Sequence, residues 1–320
     1  MIRTVLGDVD PAELGPTNYH EHLFQVSPLL PGDELDDEER SGAEAALLRD
    51  SGFAAMVDAT PFGLGRDPEA LARISASTGL RIVATTGRHR EAHYVADHPT
   101  RAMDAETLAA RFAREIDEGM PRADADPDGD RASGPDGSRV RAGLLKGGID
   151  YWRISAFERT TLRALAAAQR ATDAAIMVHL EFCTAAHEVL DLLAGEGVSA
   201  HRVVLAHADR DPDPGLHASL AERGAYLGYD GFARPRTRSD AELLALTEAV
   251  IAAGAVDRVV LGGDVARSTR YVSYGGMPGL AYLGERYVPR LRAAVGADAV
   301  DRMLRANPAR LLTLSSPAGR

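Results

Sequence analysis

The sequence predicts an α/β protein folded as a (β/α)8 TIM barrel, with a metal site at the C-terminal ends of its strands. Three observations lead there. Eight short runs rich in Val, Ile, Leu and Ala alternate with longer, alanine-rich amphipathic segments along the chain. Such alternation builds a parallel sheet covered by helices, and eight units suffice to close it. Histidine, lysine and aspartate recur where the apolar runs end, as in Val178-His179 and Ala206-His207. At 320 residues the chain is long enough to bury a barrel-sized core, so residues 1–320 are read as one domain.

In chain order, the predicted strands are residues 16–23, 54–60, 81–86, 140–146, 175–180, 202–207, 225–229 and 258–263. Apart from the first, which carries His20 and His22, each is a short apolar or β-branched run bounded by Gly, Pro or charged residues. Predicted helices cover 68–78, 105–118, 158–172, 185–195, 240–253 and 282–294. Asp67-Pro68-Glu69 reads as an N-cap, a proline at the first helical position and an acid in the first turn. Ser239 to Glu242 has the spacing of a capping box, and Asn307-Pro308-Ala309-Arg310 starts a short terminal helix. Gly63-x-Gly65 lacks the third glycine of a dinucleotide fingerprint and is read as a turn. Residues 121–139 are rich in Asp, Gly, Pro, Ser, Ala and Arg, with almost nothing to bury. They are expected to form a solvated, flexible insertion before the fourth strand.

The net charge of −11 argues against general nucleic-acid binding and against an anionic membrane surface, leaving a small molecule as the expected partner. Cys183 is the sole cysteine, so no intrachain disulfide forms and a cytoplasmic location is expected. The N-terminus MIRTVLGDVD has no apolar stretch of the signal-peptide kind, and no apolar run is long enough to span a bilayer.

The chemistry gathers at the strand ends. His20 and His22 are separated by one residue on the first strand, so both imidazoles lie on one face and can reach one ion. Lys146, His179, His207 and Asp264 follow apolar runs in the fourth, fifth, sixth and eighth units. A buried structural histidine would explain any one of these, but not all of them at the same end of a barrel. An ammonium ion would repel a metal, so Lys146 is expected to act as a carbamate, formed when its neutral amine adds carbon dioxide; burial would favour that by lowering the lysine pKa.

Taken together, Gly15-Pro16-Thr17-x-x-His20-Glu21-His22, Arg141-Ala142-Gly143-Leu144-Leu145-Lys146, Val178-His179, Ala206-His207, Gly263-Asp264 and Asn307-Pro308-Ala309-Arg310 resemble the phosphotriesterase family of the amidohydrolase superfamily across essentially the whole chain. The resemblance implies two divalent ions, zinc or alternatively manganese, cobalt or iron. It places His20, His22 and Asp264 on the more buried ion and His179 and His207 on the more exposed one. Carboxylated Lys146 and a hydroxide bridge the pair. It also implies a homodimer. The segment Gly263-Asp264-Val265-Ala266-Arg267-Ser268 is closer to the phosphotriesterase homology proteins and phospho-sugar lactonases than to the organophosphate hydrolases, whose aspartate is followed by Trp or Phe.

The expected reaction is hydrolysis of a lactone or ester carbonyl by the bridging hydroxide, with Asp264 passing the proton on. An amidase or phosphotriesterase could use the same centre. A barrel that binds ligand without turnover is the alternative outside catalysis. Near the mouth, Arg88, Tyr229, Arg267, Arg270 and Tyr271 are candidate substrate contacts, and grouped arginines in an acidic protein point to an anionic substrate. Arg267 matches an anion-binding arginine of the phospho-sugar lactonase branch. Arg270 stands where that branch has tyrosine, and Tyr271 follows it.

Overall fold

The computed structural model describes residues 1–315. A short antiparallel hairpin, β1 (Ile2–Thr4) and β2 (Gly7–Val9), opens the chain. Eight parallel strands follow in sequence order: β3 (Thr17–Glu21), β4 (Ala55–Asp58), β5 (Arg81–Gly87), β6 (Ala142–Ile149), β7 (Ile176–Leu180), β8 (Val203–Ala206), β9 (Tyr226–Tyr229) and β10 (Val259–Leu261). Hydrogen bonds from the backbone N–H groups of Gly263 and Asp264 to the His20 carbonyl bring the last strand back to the first, so the barrel is nearly closed. Gly262 makes that seam possible, because a Cβ there would lie 2.9 Å from the His20 nitrogen.

The period of two in a strand divides the apolar residues between two layers. Val57, Val83, Leu144, Met177, Val204 and Val260 point into the barrel, with Ile2, Leu14, Leu311 and Leu312 packed against them. Met56, Ile82, Leu145, Ile176, Leu205 and Leu261 face the surrounding helices. Each fully buried aliphatic side chain contributes roughly 1.5–3 kcal/mol relative to exposure, so the two layers dominate the stability of the scaffold.

The helices are α1 (Glu38–Asp50), α2 (Pro68–Thr78), α3 (Ala105–Asp117), α4 (Ala156–Thr172), α5 (Ala186–Gly195), α6 (Pro214–Glu222), α7 (Asp240–Ala252), α8 (Val288–Val295), α9 (Ala297–Asp301) and α10 (Asn307–Leu312). Asp67 caps α2, and Ser239 with Glu242 forms a capping box on α7. Three helices, α1, α6 and the five-residue α9, fall outside the sequence prediction. α1 is charged along much of its length and lacks a clear apolar stripe, while α6 is only nine residues long. The helix expected over 282–294 begins as a π-helical stretch, Leu283–Tyr287, before α8. None of the described helices is long and apolar enough to cross a membrane.

Residues 121–139 do have something to bury. They pair with themselves through antiparallel bridges at Pro121–Arg131 and Ser133–Arg139, and Ala132 is fully buried. Asp124 ties the segment to the barrel by accepting from the Gly63 N–H and pairing with Arg66 and Arg111, which also hold the buried Glu115. The charges on these two arginines need partners once they leave water, and the polar composition of the insertion supplies one.

Candidate metal centre

The strands deliver their polar residues to one point. His20 Nε2 and His22 Nε2 each lie 3.6 Å from Asp264 Oδ1. Lys146 Nζ is 3.3 Å from His20 Nε2, and His179 Nδ1 is 2.8 Å from His207 Nε2. His20, His22 and Asp264 are mutually close enough to hold one ion. All six residues are at most 8% exposed. The position of Lys146 differs from the expected strand end: β6 continues three residues beyond it, so its amine rises from within the barrel wall. His207 and Asp264 lie just past β8 and β10, both with left-handed backbone, φ +63° and +42°. Such conformations are costly outside glycine and are held here by the surrounding contacts.

Every imidazole has its far nitrogen tied. His20 Nδ1 donates to Asp230 Oδ2 at 3.0 Å, and His207 Nδ1 donates to Asp230 Oδ1 at 2.6 Å. His22 Nδ1 meets the Thr60 hydroxyl at 2.7 Å, and the Thr60 N–H donates to Asp58 Oδ1 at 3.1 Å. His179 Nε2 donates to Glu181 Oε1 at 2.9 Å. A carboxylate accepts only, so Asp230 and Glu181 fix the tautomers that leave the inward nitrogens with lone pairs. Tyr19 also donates to Asp230, and the N–H groups of Asp230 and Gly231 donate to the buried Asp209.

Burial pushes the His22 and His179 imidazoles well below their ordinary value and His207 down to about 4, so all three are neutral near pH 7. Burial likewise lowers Lys146 to about 8, which leaves an accessible neutral amine. Its nitrogen meets His20 and the Met177 sulfur, and among the described residues it has no carboxylate ion pair. Burial alone would raise Asp264, but His20, His207 and Arg234 together hold it below the usual carboxylate range. Arg234 and Arg210 approach Asp264 Oδ2 at 3.1 and 3.5 Å, so its two oxygens face different partners.

This donor set suits divalent ions. Neutral imidazoles and a carboxylate converge, and a buried amine without a direct carboxylate ion pair has room in its chemistry for a carbamate. Above the cluster is a cavity of about 400 Å³, walled by His89, His93, Glu181, Arg210, Arg234 and Arg270 among others. A neighbouring cavity of about 580 Å³ shares Arg210, Arg234, Arg267 and Arg270 with it.

The substrate-contact expectations fare unevenly. Arg88 does not reach the cavity; it is buried, stacks 3.6 Å over the Phe157 ring and donates to Thr161 and to the carbonyls of Thr100 and Phe157. Tyr229 is fully buried and bonded to His217. Tyr271 is buried with its hydroxyl on the His22 carbonyl, where it braces a strand instead of lining the pocket. Arg267 lines the pocket but is half exposed and paired with Asp33 at 3.2 Å. Arg270 also lines it, and its Nη2 is buried without a hydrogen-bond partner. The expectation set omitted Asp230 and Glu181. Asp230 obeys the strand-end rule, one residue after Tyr229, and Glu181 stands two residues after His179, one residue past the end of β7.

A parallel barrel with buried histidines and an aspartate at its C-terminal rim defines a metal-dependent hydrolase. The chain belongs to the phosphotriesterase family, whose model matches residues 1–312. It is 28% identical to an N-acetyltaurine hydrolase of Tetraodon nigroviridis, covering 98% of this chain and 97% of that protein. It is 29% identical to a phospho-furanose lactonase of Mycoplasmopsis agalactiae, over 99% and 92% of the two chains. A crystal structure of a lactonase from Listeria monocytogenes superposes with a TM-score of 0.87 at 29% identity, covering 98% of this chain and 99% of that one.

Proposed function

We propose that this hydrolase uses two divalent ions to cleave a lactone or ester carbonyl in a small anionic substrate. The observation that carries the proposal is the convergence of four imidazole nitrogens, the Lys146 amine and the Asp264 carboxylate, with every far imidazole nitrogen already bonded. His20, His22 and Asp264 would hold the inner ion, His179 and His207 the outer one, and carbamylated Lys146 would span both. Ions held there would lower the pKa of a bound water and polarise a carbonyl oxygen. With Oδ1 facing the inner-ion histidines, the Asp264 carboxylate would take the proton on its other oxygen, Oδ2. Arg210 and Arg234 at Oδ2 favour the carboxylate form and so speed the proton's onward release to the leaving group.

The anion is assigned to the arginine wall. Arg270 lines the cavity and keeps one guanidinium nitrogen buried without a hydrogen-bond partner, whereas Arg267 already has Asp33. A buried donor without an acceptor costs about 1–3 kcal/mol, and a substrate oxygen would relieve that cost. Both enzyme relatives support an anionic substrate, since N-acetyltaurine ends in a sulfonate and a phospho-furanose lactone carries a phosphate. The first of these names also favours a second reading, cleavage of an amide on the same centre. Metal-loaded protein assayed against matched anionic and neutral lactones, esters, amides and phosphotriesters tests the reading. Turnover confined to anionic carbonyl substrates is expected; a preference for neutral phosphotriesters would overturn it.

A further inference from the structure

The four histidines of the cluster are not supported alike. Asp230 serves two of them with one carboxylate, Oδ2 on His20 and Oδ1 on His207. It is fully buried. Glu181 serves His179 alone and lies at the cavity wall. Glu181 opens the 3-10 turn that follows β7, two residues after His179, and its carboxylate lies beside the ring. The chain then turns sharply: Phe182 and Cys183 both have left-handed backbone, φ +52° and +56°, and the Thr184 N–H and hydroxyl both return to the Glu181 carbonyl. The turn thus holds Glu181 back against His179. Arg90 Nη2 lies 2.9 Å from the same Oε1 that receives the histidine proton, and Arg210 Nη1 lies 3.8 Å from Oε2.

We infer that Glu181 is a positioning residue that sets the occupancy of the outer ion separately from that of the inner one. The inference rests on the two-ion reading above. Glu181 orients the ring of His179, keeps its Nδ1 free of a proton and adds basicity to it, while touching none of the groups that would hold the inner ion. Removal of a carboxylate behind a ligating histidine typically costs about 10–100-fold in metal affinity. Here that loss falls on the outer ion alone. Asp230 is the contrasting case. Removing the side chain at position 230, as in Asp230→Ala, would leave the Nδ1–H of both His20 and His207 without its acceptor, so the loss reaches the His20 and His207 sides together.

The test is a competitive-chelator titration of purified full-length protein with cobalt(II), read by absorption and by elemental analysis after gel filtration. Wild-type protein is expected to retain two ions per chain. Glu181→Gln and Glu181→Ala should retain one tightly, with affinity for the other reduced about 10–100-fold. Asp230→Ala should weaken both. Glu181 variants that keep two ions at wild-type affinity, or that weaken both equally, overturn the inference while leaving the two-ion reading intact. Wild-type protein that retains no ion overturns the two-ion reading and the inference with it. Circular dichroism of each variant separates metal loss from misfolding.

Discussion

At the scale of single residues, partners decide which arginine is available to a substrate. Arg267 and Arg270 are both near the candidate metal centre, and both are visible in the sequence as charges after Asp264. Their environments are not visible there. Asp33, more than two hundred residues away in sequence, occupies Arg267, while Arg270 keeps a buried nitrogen without an acceptor. Arg270→Met should therefore lower kcat/KM for an anionic substrate by roughly 2–4 kcal/mol and leave a neutral analogue nearly unchanged. Arg267→Met should cost about 1 kcal/mol or less, as befits a half-exposed ion pair. Steady-state kinetics on both substrates check this, and a larger loss at Arg267 would reverse the assignment. For Asp264, replacement by Asn keeps the size and removes the base, so turnover should fall about 10²–10⁴-fold. Near-normal turnover with metal retained would take Asp264 out of proton transfer.

At the scale of elements, the barrel's strand ends were legible because burial and period two leave a strong trace in composition. The runs ending near His179 and His207, and the His20-x-His22 pair, needed nothing beyond that trace. Arg88 and Tyr229 also follow apolar runs, yet they turn into packing against Phe157 and His217. The direction a loop residue takes depends on neighbours brought by other elements, and one sequence does not carry that information. The same limit hid Asp230, whose role requires knowing that two distant imidazoles flank it. The β3–β10 seam gives an element-scale prediction. Gly262→Ala would press a methyl group against the His20 nitrogen at 2.9 Å, with the Tyr19 ring equally close. Thermal denaturation should show a loss of about 1–3 kcal/mol, typical of overpacking, and metal retention should fall because His20 and Asp264 lie on either side of the seam. An unchanged melting temperature would mean that the seam yields without cost.

At the scale of the whole molecule, the barrel stores neutral histidines. Burial lowers His93 to about 3 and His207 to about 4, and it lowers His89 and His179 well below their ordinary value. Unfolded, each returns to about 6.5. Below that pH the unfolded chain binds more protons than the folded one, so stability falls as the medium is acidified. Each such group contributes about 1.4 kcal/mol per pH unit between its two pKa values. Metal-free protein should thus lose melting temperature steadily from pH 6.5 toward pH 4, and bound metal should protect it by competing with those protons. A flat profile across that range in calorimetry would show that the histidines are hydrated and not desolvated.

The central claim is the two-metal centre, and its most direct measurement is elemental analysis of protein purified with zinc and excess bicarbonate, beside Lys146→Ala treated identically. Wild-type protein should carry close to two ions per chain and lose activity to chelators. The variant should fall well below two, because no group remains to span the ions, and a short-chain carboxylic acid should restore part of the metal and of the turnover. Wild-type metal near zero, with hydrolysis unaffected by chelators, would contradict the account.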